Sequence, residues 1–191
     1  MNTRIYSSSG WSVLASALLV STLFAACSRS VPDTPEKMAA SVARSIIMND
    51  KKAFTKHVIN RDGAISMFQL MLDSAKTDKV QKTRIPKLKH EISTLQANKN
   101  PTLMRVRTKI ITSFDTLAAQ AKRDGVDLGT AKFGEIKKVN TRTYLNRKQY
   151  DIYFTLSAKG KEYLVKLDDV IMVPGRHYLL GRVKWKGKAK Q

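Results

Sequence analysis

Near Ala131 the apolar residues of this chain change period, and that change leaves few architectures open. Before it, apolar residues recur every three or four positions; after it they alternate. Met38, Val42 and Ile46 mark a first helix, with Thr34 as N-cap, Pro35 at the first helical position and Glu36 in the first turn. Asp50 caps a short second helix carrying Phe54 and Val58. Asn60-Arg61-Asp62-Gly63 reads as a turn, followed by the stripe Ile65, Phe68, Leu72 and Ala75. A fourth stripe, Ile85, Leu88, Ile92 and Leu95, has Pro86 at its start. Asn100-Pro101 opens the longest helix, with Leu103, Val106, Ile110, Phe114, Leu117 and Ala121 on one face, and Gly125 ends it.

Beyond Ala131 a strand is expected over Phe133 to Tyr144. Tyr150, Ile152, Phe154 and Leu156 then alternate with Asp151, Tyr153 and Thr155. After a turn at Lys159-Gly160, Tyr163, Val165 and Leu167 alternate with Leu164, Lys166 and Asp168. Pro174-Gly175 turns the chain into a last strand from His177 to Lys186. Helices at about 34–125 followed by strands at about 131–187 imply an α+β domain: N-terminal helices packed on a curved, four-stranded antiparallel meander.

This order is similar to the NTF2-like (cystatin-like cone) superfamily. The residues that carry the likeness are Thr34-Pro35-Glu36, Asn49-Asp50-Lys51-Lys52-Ala53-Phe54, and the strand pair Lys161 to Leu167 and His177 to Gly181 around Pro174-Gly175. The resemblance spans roughly 34–187 and implies a cone-shaped α+β fold. That superfamily includes enzymes, ligand cups and interaction modules, so the fold lends little to function.

The N-terminus gives an expected address. Arg4 precedes an uncharged, apolar stretch from Trp11 to Ala26, a charged n-region before an h-region. The stretch is shorter than the roughly 20 residues a membrane-spanning helix needs. It ends on Leu23-Phe24-Ala25-Ala26-Cys27, followed by Ser28. These residues resemble a bacterial lipoprotein precursor, which implies cleavage after residue 26, lipidation of Cys27 and a tether over 27–33 before the domain at 34–191. Ser28 rather than Asp after the cysteine implies the outer membrane, facing the periplasm. Cys27 is the one cysteine in the chain, so no intramolecular disulfide can form.

Charge narrows the function. The chain has 35 Lys and Arg against 15 Asp and Glu, a formal net charge of +20, and only Arg4 lies in the expected signal. A domain this basic attracts polyanions. For an exported chain these are envelope components rather than nucleic acid: headgroups, lipopolysaccharide phosphates, teichoic acids or peptidoglycan carboxylates. A lipid together with a polybasic surface is a two-signal anchor. The plainer reading is that the charge only keeps the domain soluble.

The cations fall into groups. Lys76, Lys79, Lys82, Arg84, Lys87 and Lys89 surround the start of the fourth helix; Arg105, Arg107 and Lys109 lie on the fifth; Arg182, Lys184, Lys186, Lys188 and Lys190 alternate along the last strand and tail. The anion-binding candidates are Arg182, Lys184, Lys186, Lys188 and Lys190, with Lys82, Arg84, Lys87 and Lys89. Lysines on a terminal strand also serve to block edge pairing.

Signals for catalysis and metal binding are weak. His57, His90 and His177 lack helical metal-ligand spacing, so no metal or cofactor is expected, and His57 and His90 read as solvated. Asp168-Asp169 is the one acidic pair in the sheet region, and an ion-pair role is favoured over that of a base in a cup. Tyr153, Tyr163, Tyr178 and Trp185 are read as core in preference to a ligand-lining set. The expected function is therefore a non-enzymatic envelope accessory or scaffold, the alternative a periplasmic small-ligand cup.

Overall fold

The computed structural model describes residues 32–78, 81–144 and 147–189. Cys27 lies outside the described residues, as do Lys79 and Lys190. The described residues belong to one compact unit, Val31–Gln191. Five α-helices precede the sheet: α1 Pro35–Ile47, α2 Lys51–Thr55, α3 Arg61–Thr77, α4 Ile85–Gln96 and α5 Pro101–Arg123. The strands are β1 Lys132–Tyr144, β2 Arg147–Ala158, β3 Lys161–Val173, β4 Arg176–Leu179 and β5 Val183–Lys188. The fold is α+β, with a curved, unclosed antiparallel sheet, consistent with an NTF2-like arrangement.

Local chemistry sets the helix starts. The Thr34 hydroxyl accepts the Lys37 N–H at 3.2 Å, the Asp50 carboxylate that of Ala53 at 2.8 Å, and the Asn100 side chain that of Leu103 at 2.8 Å. Gly125, with φ of 73°, follows α5.

Residues 60–63, expected as a turn, begin α3 instead. The Asn60 side chain accepts the Gly63 N–H at 2.8 Å, so Asn60 is an N-cap and Gly63 lies in the first helical turn. Its lack of a side chain is used by Tyr178, whose ring would lie 2.9 Å from a Cβ at Gly63.

Strands β1, β2 and β3 are neighbours in order, and the last expected strand is broken in two. β4 pairs with β3 through Val170↔Leu179 and Met172↔His177, and β5 pairs with the same edge of β3 through Leu167↔Val183 and Val165↔Trp185. The break falls opposite Asp168 and Asp169, the latter at φ 50°. Here the ladder of β2 and β3 shifts register, so that the alternation starting at Tyr163 slips by one and Val170 returns to the buried side.

One face of the sheet carries the main core. Ile152, Phe154, Leu156, Val165 and Leu167 pack with Met38, Val42 and Ile46 of α1, Phe54 of α2, and Ile110, Phe114 and Leu117 of α5. Phe54 and Phe114 meet with ring centroids 5.0 Å apart. That face of the sheet is thus occupied by side chains. A second cluster joins α3 and α4 to the far end of β3 through Ala64, Leu95, Ile171, Val173 and Tyr178. A third, Leu72, Ala75, Leu88 and Ile92, holds the hairpin of α3 and α4 together. All three clusters draw only on residues from Met38 onward.

Candidate functional site

The break between β4 and β5 creates the most chemically distinctive surface. Asp168 N–H donates to the Arg182 carbonyl at 3.0 Å, Leu180 N–H to the Asp169 carbonyl at 3.0 Å, and Gly181 N–H to the Asp168 carbonyl at 3.2 Å. These bonds staple the bulge to the bend and leave Arg182 exposed beside α5. Ser113 on α5 completes the junction: its hydroxyl accepts the Val183 N–H at 3.0 Å and donates to the Ile110 carbonyl at 2.6 Å.

Two adjoining hollows flank this junction. One, of about 390 Å³, is lined by Val106, Lys109 and Ile110 of α5 together with Asp168, Gly181, Arg182 and Lys184. The other, of about 490 Å³, runs along Lys109, Thr112, Thr116 and Gln120 of α5 and Arg182, Lys184, Trp185 and Lys186 of β5. Lys109, Arg182 and Lys184 line both, which makes one continuous groove. Lys109, Arg182 and Lys186 are exposed and make no salt bridge among the described residues.

Lys184 is different, because its ammonium pairs with Asp168. That pair ends a chain of charges across the sheet face opposite the core. Arg142 bonds Asp169 at 2.7 Å and Asp151 at 3.1 Å; Lys166 bonds Asp151 at 3.0 Å and Asp168 at 2.6 Å. Three cations thus meet three carboxylates, and Asp168-Asp169 serves in ion pairs. Burial works against the charged form of Lys166, but its bonds to Asp168 and Asp151 outweigh that and raise its pKa above the ordinary lysine value. Burial likewise opposes charge on Asp151, yet Lys166 and the Asp169 N–H hold its pKa below the usual carboxylate range.

The other expected cations are dispersed. Lys188 is exposed at the end of β5, beyond the residues that line the groove. Lys82, Arg84, Lys87 and Lys89 are exposed around the start of α4. That hairpin packs near Ile171 and Val173, whereas Lys188 pairs opposite Tyr163. At ~3.3 Å per residue Tyr163 and Ile171 are roughly 26 Å apart along β3, so the groups form separate patches. Arg107 turns inward and donates to the Val58 carbonyl at 3.4 Å and to that of Ile59, which removes it from the surface group.

One of the histidines departs from expectation. His57 is buried, with Nε2 3.0 Å from the Ser41 hydroxyl oxygen. Burial, with Arg176 and Lys56 adding their charge, lowers its pKa from 6.5 to about 4. His177 is buried against the Tyr150 ring, its backbone N–H bonded to the Pro32 carbonyl at 2.9 Å, and burial lowers its pKa too. His90 is exposed. Tyr163, Tyr178 and Trp185 are core residues, and Tyr153 lies on the charged face beneath Lys166. Among the described residues, no group of three or more His, Cys, Asp or Glu could hold a metal ion.

Sequence reasoning missed Thr112, Thr116 and Gln120, because neutral polar residues on an exposed helix face give no signal without the strand that lies beside them. No family model, curated protein or solved structure matches this chain.

Proposed function

We propose that the chain is a non-enzymatic envelope lipoprotein that docks through the groove between α5 and β5 onto an anionic envelope component. In this reading Cys27 carries the lipid, the anchoring membrane is the outer membrane facing the periplasm, and the domain acts as an accessory or scaffold. The observation that supports docking is the convergence of Lys109, Arg182 and Lys186, each without an acidic partner among the described residues, on one groove. Solubility requires cations that are spread out; it does not require three unpaired ones lining a hollow. Each exposed contact contributes at most about 1 kcal/mol, so retention depends on several together and weakens with salt.

Two measurements test the reading. Residues 28–191 are sedimented with purified sacculi and with anionic vesicles over a salt series; retention near physiological salt supports docking, and its absence there rejects it. Expressed with labelled palmitate, the whole chain should incorporate the label and a Cys27→Ser variant should not. A wild-type chain that takes up no label would reject the lipid anchor.

A further inference from the structure

The geometry points to a phosphorylated saccharide as the ligand of this groove. The inference rests on the docking reading and names the chemistry that the groove selects.

The charged end comes first. Lys109, Arg182 and Lys184 face both hollows, and Lys186 lies along the longer one. A carboxylate offers two oxygens and one charge. A phosphate monoester brings close to two charges and three acceptor oxygens, and a guanidinium fork such as that of Arg182 matches it with two parallel bonds. Several cationic donors around one hollow therefore favour phosphate. Asp168 and Asp169 line the shorter hollow and repel an anion there. The phosphate is thereby directed to the junction and to the side of Lys186.

Away from the cations the groove combines apolar walls, from Val106, Ile110, Leu180, Val183 and Trp185, with neutral polar groups. Thr112, Thr116 and Gln120 line it along α5. The Thr116 hydroxyl donates to the Thr112 carbonyl at 3.2 Å, which leaves its oxygen free to accept. Hydroxyl and amide groups in a row beside a cationic end suit a sugar ring joined to its phosphate. A volume of about 490 Å³ is far more than a bare phosphate needs. None of the exposed large hydrophobic residues, Met48, Met104, Phe133 and Met172, lines either hollow.

The test uses Trp185, which lines the groove and is the only tryptophan in residues 28–191. Its fluorescence is followed during titration with glucose 1-phosphate, inorganic phosphate, glucuronate and glucose, with calorimetry as a second readout. Glucose 1-phosphate should bind saturably and at least about fivefold more tightly than inorganic phosphate, with glucuronate and glucose weaker still. Arg182→Gln should weaken glucose 1-phosphate by about tenfold. Thr112→Val with Gln120→Leu should erase the advantage over inorganic phosphate and leave phosphate binding in place. Equal binding of glucuronate, or an Arg182→Gln variant with unchanged affinity, overturns the inference.

Vesicle arms separate the possible sources and the two readings. Preference for lipopolysaccharide over phosphatidylglycerol vesicles assigns the phosphosugar to a glycolipid; glucose 1-phosphate binding without sedimentation on any surface assigns it to a soluble ligand and rejects docking. Equal sedimentation on all anionic surfaces with no response to glucose 1-phosphate keeps docking and rejects the phosphosugar.

Discussion

Gly181 passes so close to Asp168 that a Cβ on it would lie 2.5 Å from the Asp168 carbonyl oxygen and 2.6 Å from the Asp168 Cβ. That approach lets the bulge of β3 and the break between β4 and β5 lock together. It also leaves Arg182 on the groove. Gly181→Ala should therefore destabilise the domain by about 2–3 kcal/mol, because backbone rather than a flexible tip must move. Denaturant unfolding measures this directly, and the same variant should lose affinity for the groove's ligand. Wild-type stability in Gly181→Ala would show that the bend is soft.

Lys166 separates two carboxylates, those of Asp151 and Asp168. Replacing it by Met leaves the two acids facing each other on the sheet face opposite the core. The expected loss is about 2 kcal/mol, below the cost of breaking a fully buried pair because the cluster borders solvent. Adding Asp151→Asn should recover part of it, with a coupling of about 1 kcal/mol in a double-mutant cycle. Additive losses would contradict the network.

The pH dependence follows from the buried histidines. The folded pKa of His57, about 4, is below the unfolded 6.5, so the unfolded chain binds more protons between these values. Stability from this group is fully present above pH 6.5 and lost as pH falls toward 4, to the extent of roughly 3 kcal/mol. His177, also lowered, acts in the same direction. The depressed carboxylates Asp33, Asp73 and Asp151 add a further loss below their ordinary range. His57→Gln, which keeps a hydrogen-bonding group near Ser41, should flatten the profile between pH 4 and 6.5 in thermal melts. An unchanged slope would remove His57 as the source.

Trp185 ties the last strand to the end of α5: its indole N–H donates to the Asp124 carboxylate at 2.7 Å, and its ring stacks on Tyr163 at 5.3 Å. Asp124→Ala leaves the buried N–H without its acceptor, at a cost of about 1–2 kcal/mol. A red-shifted Trp185 emission should accompany the loss.

Much of the architecture was legible because it is written in short-range chemistry. The caps at Thr34, Asp50 and Asn100, the stripe of α5 and the alternation of β2 each depend on residues a few positions apart. The misreadings are tertiary. Asn60 to Gly63 has the composition of a turn, and only the ring of Tyr178 explains a glycine inside the helix. His57 looks solvated until Ser41, sixteen residues away, is placed beside it. The break after Leu179 depends on an aspartate with positive φ in the neighbouring strand, a conformation that composition does not reveal. The candidate site was half legible. Alternation of Arg182, Lys184 and Lys186 against Val183 and Trp185 could be seen in the strand. Their convergence with Lys109 requires knowing that α5 lies along β5, and the inward turn of Arg107 requires the carbonyls of Val58 and Ile59.

The central claim is that position, and not total charge, directs this domain to its partner. Two triple variants of equal charge test it by sedimentation with sacculi and anionic vesicles at physiological salt: Lys109→Glu, Arg182→Glu, Lys186→Glu in the groove, and Lys82→Glu, Arg84→Glu, Lys87→Glu on the hairpin of α3 and α4. The account predicts that groove reversal abolishes retention while hairpin reversal leaves most of it. Equal loss in both variants would contradict the account and make net charge the sole cause of binding.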